Sequence, residues 1–221
     1  MAQGYCVTGT DTGAGKTVAS VALLHALRAR GLRAVGMKPV ASGCTLTPDG
    51  WRNEDALALQ AASAPTPRYE TLNPYALPAA TAPQIAAAQA GIRVELAPIL
   101  AAYAELAADA DAVVVEGVGG WLAPMADDLE QASLARELHL PVVLVVGVKL
   151  GCLNHARLSE RAIVDDGLEL AGWVGSHVDP GLEFEGEYAA LLRRALHAPC
   201  LGMLSHGADA QPALFAPQLR F

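Results

Sequence analysis

One nine-residue stretch, GTDTGAGKT at positions 9–17, constrains the fold of this chain more than any other part of its sequence. It follows a strand-like run, Tyr5–Thr8, and precedes a segment, Lys16–Arg30, whose apolar residues recur at helical spacing. A strand, a glycine-rich turn and a helix that begins with Gly-Lys-Thr is the arrangement of a phosphate-binding loop. The first glycine lies one residue early because Thr10 fills its usual place, which weakens the pattern match but not the physics.

The chemistry of this loop follows from its residue types. Backbone N–H groups of the turn and the positive N-terminus of the helix can surround phosphate oxygens. Lys16 can reach the terminal phosphates, and the hydroxyl of Thr17 can bind Mg²⁺. The alternative is a glycine-rich turn between strand and helix with an incidental lysine.

Short β-branched runs alternate with longer helix-like stretches along the chain, which predicts one α/β domain with a mainly parallel sheet and helices on both faces. Gly31 stands where a left-handed helix cap belongs, and Asn53 can cap a short helix, Glu54–Ala62. A long proline-punctuated excursion, residues 65–83, could form one wall of a substrate cleft. The predicted strands are Tyr5–Thr8, Ala34–Lys38, Ala112–Glu116, Val142–Gly147, Leu170–Val174 and Cys200–Leu204.

Charged side chains stand where two of these strands end, and ligand sites of open α/β sheets lie at such ends. Glu116 could hold Mg²⁺ directly or through water, unless it is a solvated loop residue. Lys38 should lie at the same edge as Lys16 and help to stabilise a polyphosphate, unless a nearby carboxylate simply neutralises it. Asp55 lies in the first turn of its helix, where a carboxylate also favours the helix dipole.

Composition excludes several classes of function. The net charge of −8 argues against a nucleic-acid-binding protein, which needs a basic face. The longest apolar run, Pro141–Val146, is far shorter than the roughly 18 residues of a membrane span, so we expect a soluble protein. No secretory signal precedes the first strand, which favours the cytoplasm. The 4 cysteines are scattered, so neither a zinc site nor a disulfide framework is predicted.

Seven stretches of the chain together resemble the dethiobiotin synthetase family. They occur in order from about residue 5 to residue 178: GTDTGAGKT, KPVASG, RNEDALALQ, NPY, VVVEGVGGW, VVGVKLGCLNH and LAGWV. The resemblance implies a P-loop NTPase-like α/β fold, a homodimer, and use of Mg²⁺, ATP and 7,8-diaminononanoate. In that family CO2 adds to one amine as a carbamate, ATP phosphorylates it, and the neighbouring amine closes a cyclic urea with release of ADP and phosphate.

The same resemblance implies a role for individual residues. Lys16 and Lys38 would stabilise the phosphoryl group and the carbamate–phosphate anhydride, and Thr12 and Ser42 would hydrogen-bond to the reacting group. Mg²⁺ would lie among Thr17, Asp55 and Glu116. The nucleotide-binding positions would be Gly13, Ala14, Gly15, Lys16, Thr17, Val18, Asp55, Glu116, Gly117, Val118, Gly119, Ser176, His177, Ser205, His206 and Gly207. The substrate-binding positions would be Ser42, Lys149, Leu150, Gly151, Cys152 and Asn154.

The segment from Lys149 resembles the family's anchor for the substrate carboxylate, supplied across the dimer interface. A helix beginning near Asn154, which could be its cap, would present backbone N–H groups to that carboxylate.

The sequence departs from the family pattern at three places. Gly13 stands where a Glu often lies near ATP and metal. Ser176 and His177 replace an Asn-Asp pair that commonly reads the adenine, and Ser205 and His206 replace a proline-led loop on the same side of the base. These differences predict a relaxed preference for ATP over other nucleotides.

Two other classes of protein share such a nucleotide core. Positioning or partitioning ATPases generally carry an additional lysine early in the loop, where this chain has Thr10-Asp11-Thr12, and their dimerisation should respond to ATP. Amidating synthases normally have an appended glutaminase-like domain, for which 221 residues leave no room.

Overall fold

The computed structural model of the chain describes residues 3–207 and 212–219, apart from the side chains of residues 214 and 218. The strands are β1 (Gln3–Gly9), β2 (Ala34–Met37), β3 (Val40–Ser42), β4 (Thr45–Thr47), β5 (Gly50–Arg52), β6 (Tyr75–Leu77), β7 (Ala112–Glu116), β8 (Pro124–Ala126), β9 (Leu129–Glu130), β10 (Val142–Val148), β11 (Leu170–His177) and β12 (Cys200–Leu204). The helices are α1 (Lys16–Ala29), α2 (Glu54–Ala62), α3 (Tyr69–Leu72), α4 (Pro83–Ala90), α5 (Leu96–Asp109), α6 (Gln131–Leu138), α7 (Cys152–Asp165), α8 (Glu185–Ala195) and a 3-10 helix (Pro212–Gln218).

Six parallel strands form the central sheet, in the order β12-β11-β10-β1-β7-β2. These are the six strands that the sequence predicts. Because they are parallel, their carboxyl ends meet at one edge, and the connections that carry the predicted site residues leave from that edge.

Helices cover both faces of this sheet, and each face has its own apolar core. Side chains of α1, α2 and α3 pack on one face. Side chains of α4 to α8 pack on the other. The predicted α/β class is therefore confirmed. In the part of the chain that the structure describes, no helix is long and apolar enough to cross a bilayer.

The carboxyl ends of four predicted strands differ from the structure. β1 and β10 each continue one residue further than predicted, to Gly9 and Val148, and β1 also begins two residues earlier, at Gln3. β11 continues past Val174 to His177, because it keeps pairing with β10 in the register Gly147↔Ser176 and Val148↔His177. β2 ends at Met37, because the N–H of Lys38 leaves the ladder and donates to the carbonyl of Leu72.

The helix caps and ends that the local sequence predicts agree closely with the structure. Asn53 caps α2 by accepting a hydrogen bond from the N–H of Ala56 at 3.2 Å. α1 ends at Ala29, one residue before the predicted end, and Gly31 adopts the left-handed conformation with φ 84°. The sequence alone therefore places α1 and α2, which carry Lys16, Thr17 and Asp55.

The proline-rich excursion is more regular than predicted. It contains α3 and β6, and β6 pairs in parallel with β3 from Val40↔Tyr75 to Ser42↔Leu77. This small sheet holds the excursion beside the carboxyl end of β2.

Candidate functional site

A cleft of about 1000 Å³ opens at the carboxyl ends of β1, β2 and β7. It brings together predicted residues from the phosphate loop, the exit of β2, the first turn of α2 and the end of β7. The predicted residues that line it are Thr12, Gly13, Gly15, Lys16, Thr17, Val18, Lys38, Ser42, Asp55, Glu116, Val118 and Gly119.

The loop between β1 and α1 has the backbone of an anion cradle. Gly13 and Gly15 have φ of 72° and 88°, in the left-handed region, and Gly15 is the N-cap of α1. The ammonium of Lys16 donates to the carbonyls of Asp11, at 3.0 Å, and Gly119, at 2.7 Å. Burial and the nearby charge of Lys38 lower the pKa of Lys16 to about 8.

A buried ion cluster lies beside this loop. The ammonium of Lys38 lies 2.5 Å from Glu116 Oε1 and 2.9 Å from Asp55 Oδ2. Burial opposes the charge of Lys38, but the two carboxylates outweigh it and hold its pKa above the usual value. Burial likewise opposes the charge of Asp55, and Lys38 outweighs it, so the pKa of Asp55 is lowered. Lys38 is therefore neutralised by carboxylates, as one sequence-based alternative has it, and it also lies in the cleft. The other alternative, that it helps to stabilise a polyphosphate, stays a prediction.

Glu116 is fully buried rather than a solvated loop residue. Its Oε1 accepts from Lys38 and from the hydroxyl of Thr17, the latter at 2.9 Å. Its Oε2 is buried and has no hydrogen-bond partner among the described residues. A buried carboxylate oxygen without a partner, beside a hydroxyl and a second carboxylate, fits a hard cation such as Mg²⁺.

The protein ligands for such a cation are few. No group of three or more His, Cys, Asp or Glu side chains that could hold a metal ion occurs in residues 3–207 and 212–219. A cation at Glu116 would therefore also need hydroxyl, phosphate or water oxygens, as Mg²⁺ does in nucleotide-binding sites.

The predicted base-reading residues lie outside the cleft, at the ends of β11 and β12. Ser176 is buried, and a Cβ added to Gly15 would lie 2.3 Å from its hydroxyl oxygen. His177 Nδ1 lies 3.5 Å from Glu185 Oε1, without hydrogen-bond geometry. The three positions after β12, residues 205–207, are exposed.

The segment after β10 lies next to the loop, also outside the cleft lining. Lys149 forms an ion pair with Asp11 at 3.1 Å, and Leu150 is exposed. The helix does begin near Asn154, as predicted, but the suggestion that Asn154 is its cap is wrong. Gly151, with φ 91°, is the N-cap and α7 begins at Cys152, so Asn154 is a residue of the first turn and not the cap.

Residues 80–83 supply one wall of the cleft, which is the position predicted for the proline-rich excursion. The sequence did not predict two other groups of residues near the cleft. Gln131 packs against Gly117, where an added Cβ would lie 2.6 Å from its side chain. Tyr69 and Asn73 are buried behind Lys38. The only sequence signal for these last two was Asn73 in NPY.

Comparison with solved structures gives the fold. Over 98% of the chain, it resembles a ParA family ATPase from Chlorobium tepidum, with a TM-score of 0.56, 12% identity and 90% of that chain covered. It equally resembles the septum site-determining protein MinD of Pyrococcus horikoshii in complex with Mg-ADP, with a TM-score of 0.57, 13% identity and 86% coverage of that chain. At such low identity these likenesses show the P-loop ATPase fold alone.

Comparison of sequences gives the family. An AAA domain family model matches residues 3–213. An ATP-dependent dethiobiotin synthetase from Xanthomonas oryzae is 61% identical over 216 residues, which cover 98% of this chain and 96% of the relative. One from Xylella fastidiosa is 59% identical, with 97% and 96% covered. The chain therefore belongs to the ATP-dependent dethiobiotin synthetases, the carbon–nitrogen ligases of biotin biosynthesis.

Proposed function

We propose that the cleft converts 7,8-diaminononanoate, CO2 and ATP into dethiobiotin, ADP and phosphate. The observation that carries this assignment is the convergence of two buried ammonium groups, Lys16 and Lys38, with Glu116 and Asp55 at the opening of a phosphate loop. Phosphoryl transfer needs mainly positioning and charge stabilisation, and this cluster supplies fixed charge of both signs.

The nucleotide phosphates would lie on the loop from Gly13 to Val18. The N-terminus of α1 supplies N–H groups there, and Lys16 can exchange its two carbonyl partners for phosphate oxygens. Gly117, Val118 and Gly119 follow β7 on the opposite side of the loop. The carbonyl of Gly119 accepts a hydrogen bond from the ammonium of Lys16. This contact supports a position for the segment against the phosphates.

Mg²⁺ would be held by Glu116, Asp55 and the hydroxyl of Thr17. When bound, it would neutralise charge on the phosphate oxygens. Glu116 Oε1 is already engaged by Lys38 and Thr17, so Oε2 is the oxygen open to a cation.

Lys38 would then stabilise the substrate-derived anions. One amine of the diamine attacks CO2 and loses a proton to give a carbamate, whose oxygen attacks the γ-phosphorus and displaces ADP. The second amine attacks the carbonyl carbon of the resulting anhydride and expels phosphate, again with loss of a proton. The ammonium of Lys38 faces the cleft with Thr12 and Ser42, which supports an electrostatic role for Lys38 and hydrogen-bonding roles for these two residues.

The substrate carboxylate would be bound across a homodimer by the segment from Lys149 to Asn154. The N-terminus of α7, which begins at Cys152, offers N–H groups without requiring a charged side chain. Leu150 of this segment is exposed and is therefore accessible to a second protomer. The base would lie near Ser176, His177 and residues 205–207, which adjoin the loop through the contact of Ser176 with Gly15. We place the enzyme in the cytoplasm, in keeping with its use of ATP and its four free cysteines.

The test is ADP release by the purified protein. It should require both bicarbonate and 7,8-diaminononanoate, because phosphate transfer awaits the carbamate. ADP release that is unchanged when either compound is omitted would contradict the proposal and favour a simple ATPase.

A further inference from the structure

A chain of three hydrogen bonds runs behind the cleft between the start of α2 and the exit of β2. The N–H of Asn53 donates to the hydroxyl of Tyr69 at 2.8 Å. That hydroxyl donates to Asn73 Oδ1 at 3.0 Å. The amide of Asn73 in turn donates to the carbonyl of Lys38 at 2.6 Å. This series of hydrogen bonds therefore begins at the backbone N–H of Asn53 and ends at the backbone carbonyl of Lys38.

The middle of this chain is shielded from water. Tyr69 is 5% exposed and Asn73 is 3% exposed. A buried polar group that loses its partner keeps its full desolvation penalty, so these bonds strongly favour one arrangement. The guanidinium of Arg52 lies 4.1 Å from the centre of the Tyr69 ring, which further fixes the ring.

Both ends of the chain are attached to parts of the cleft. Asn53 caps α2, whose first turn carries Asp55, and its side-chain amide donates to the carbonyl of Ser42 at 3.3 Å. At the other end, Asn73 holds the backbone from which the Lys38 side chain enters the ion cluster. The network therefore ties together the three elements that carry Asp55, Ser42 and Lys38.

We infer that Tyr69 and Asn73 are positioning residues that hold Lys38, Asp55 and Ser42 in register for the chemical step. This inference rests on the proposed function of the cleft. Neither residue lines the cleft, so both act through the residues that do. The phosphate loop is attached to a different strand, β1, so binding of the nucleotide phosphates without Mg²⁺, for which Asp55 is a proposed ligand, should depend little on the network.

The test compares Tyr69→Phe, which removes only the hydroxyl, and Asn73→Leu, which keeps the number and branching of the side-chain heavy atoms, with the control Tyr75→Phe. The hydroxyl of Tyr75 also makes two backbone hydrogen bonds, with the N–H and carbonyl of Glu95, but it has no link to Lys38. Steady-state kcat per folded protein is measured as diamine-dependent ADP release, and the Kd of a non-hydrolysable ATP analogue is measured by calorimetry in the absence of Mg²⁺.

We expect each network variant to lower kcat about 10-fold or more, as loss of an orienting partner typically does. The Kd of the analogue should stay within about twofold, and the double variant should lose less than the product of the two single losses, because the residues act as one unit. The control Tyr75→Phe should retain wild-type kcat.

Three outcomes would overturn the inference: wild-type kcat in Tyr69→Phe, an equal loss in Tyr75→Phe, or analogue affinity that falls in step with kcat. If Asn73→Leu fails to fold, Tyr69→Phe decides alone, since it retains the ring and its contact with Arg52. Failure of the wild-type protein to release ADP with both substrates would instead count against the proposed function, so the two failures are distinguishable.

Discussion

The two ends of the proposed nucleotide site are built differently. At the phosphate end, Lys16, Lys38 and Glu116 are buried, and each has at least two polar partners. At the other end, residues 205–207 are exposed and His177 Nδ1 lacks a hydrogen bond. The first region is fixed before any ligand arrives, whereas the second offers few fixed polar contacts. We therefore expect the chemistry to depend on the first region and base selectivity to be weak in the second.

The largest expected effect is that of Lys38→Met. It should lower kcat by about 100- to 1,000-fold, the usual loss when one group that stabilises a developing anion is removed. It should also destabilise the protein by about 3 kcal/mol, because Glu116 is left buried without its cation, so activity is expressed per folded protein after a urea titration.

The matched change in the second region is His177→Ala. Its kcat should stay near the wild-type value, since this side chain lies outside the cleft lining. A loss as large as that of Lys38→Met would break the contrast between the two ends.

The contact between the two regions is tested by Gly15→Ala. An added Cβ would lie 2.3 Å from Ser176 Oγ, at a φ of 88°, so unfolding in urea should show a loss of about 2 kcal/mol. Gly13→Ala is the control. It has a φ of 72° but no atom within 4 Å of the added Cβ, and it should lose only about 1 kcal/mol from backbone strain. Equal losses in both variants would mean that Ser176 does not confine the loop.

Nucleotide selectivity tests the weaker region directly. Turnover with CTP or GTP should lie within about tenfold of turnover with ATP, a difference of about 1.4 kcal/mol, because few fixed polar groups surround the base. The measurement is diamine-dependent phosphate release with each nucleotide at saturation. Activity with ATP alone would contradict the prediction that base selectivity is relaxed.

The smallest effect is expected where a charge pair is exposed. Arg93 and Asp128 lie 3.0 Å apart with about two-thirds of each side chain in water. Asp128→Asn should change the free energy of unfolding by less than about 0.5 kcal/mol, in contrast to the buried pair of Lys38 and Glu116. A larger loss in a urea titration would show that burial does not explain why the two ion pairs differ in their contribution to stability.

Local patterns predicted much of the fold and the phosphate end of the site. Glu116 ends a run of buried β-branched residues, and Lys16 begins an amphipathic helix after a glycine turn, so strand periodicity and loop chemistry place both. Because parallel strands end at the same edge of a sheet, the sequence also predicted that Lys38 would lie near Glu116 and Lys16. These inferences succeeded because each depends on neighbours in sequence and on one rule of parallel sheets.

Contacts between distant side chains could not be predicted in this way. Tyr69 and Asn73 reach Lys38 across more than 30 positions, and nothing in their local sequence specifies that meeting. The cap of α7 was misjudged because the N-cap is a left-handed glycine, Gly151, three residues before the polar Asn154 that resembled a cap. Tertiary contacts decided the first case, and the backbone conformation of one glycine decided the second.

The central claim is that phosphate transfer in this cleft is coupled to closure of a cyclic urea. The most direct measurement supplies ¹³C-bicarbonate with ATP and 7,8-diaminononanoate, then counts labelled dethiobiotin and ADP. The account predicts one labelled carbon in the product for every ADP released. ADP that accumulates without labelled product would contradict it.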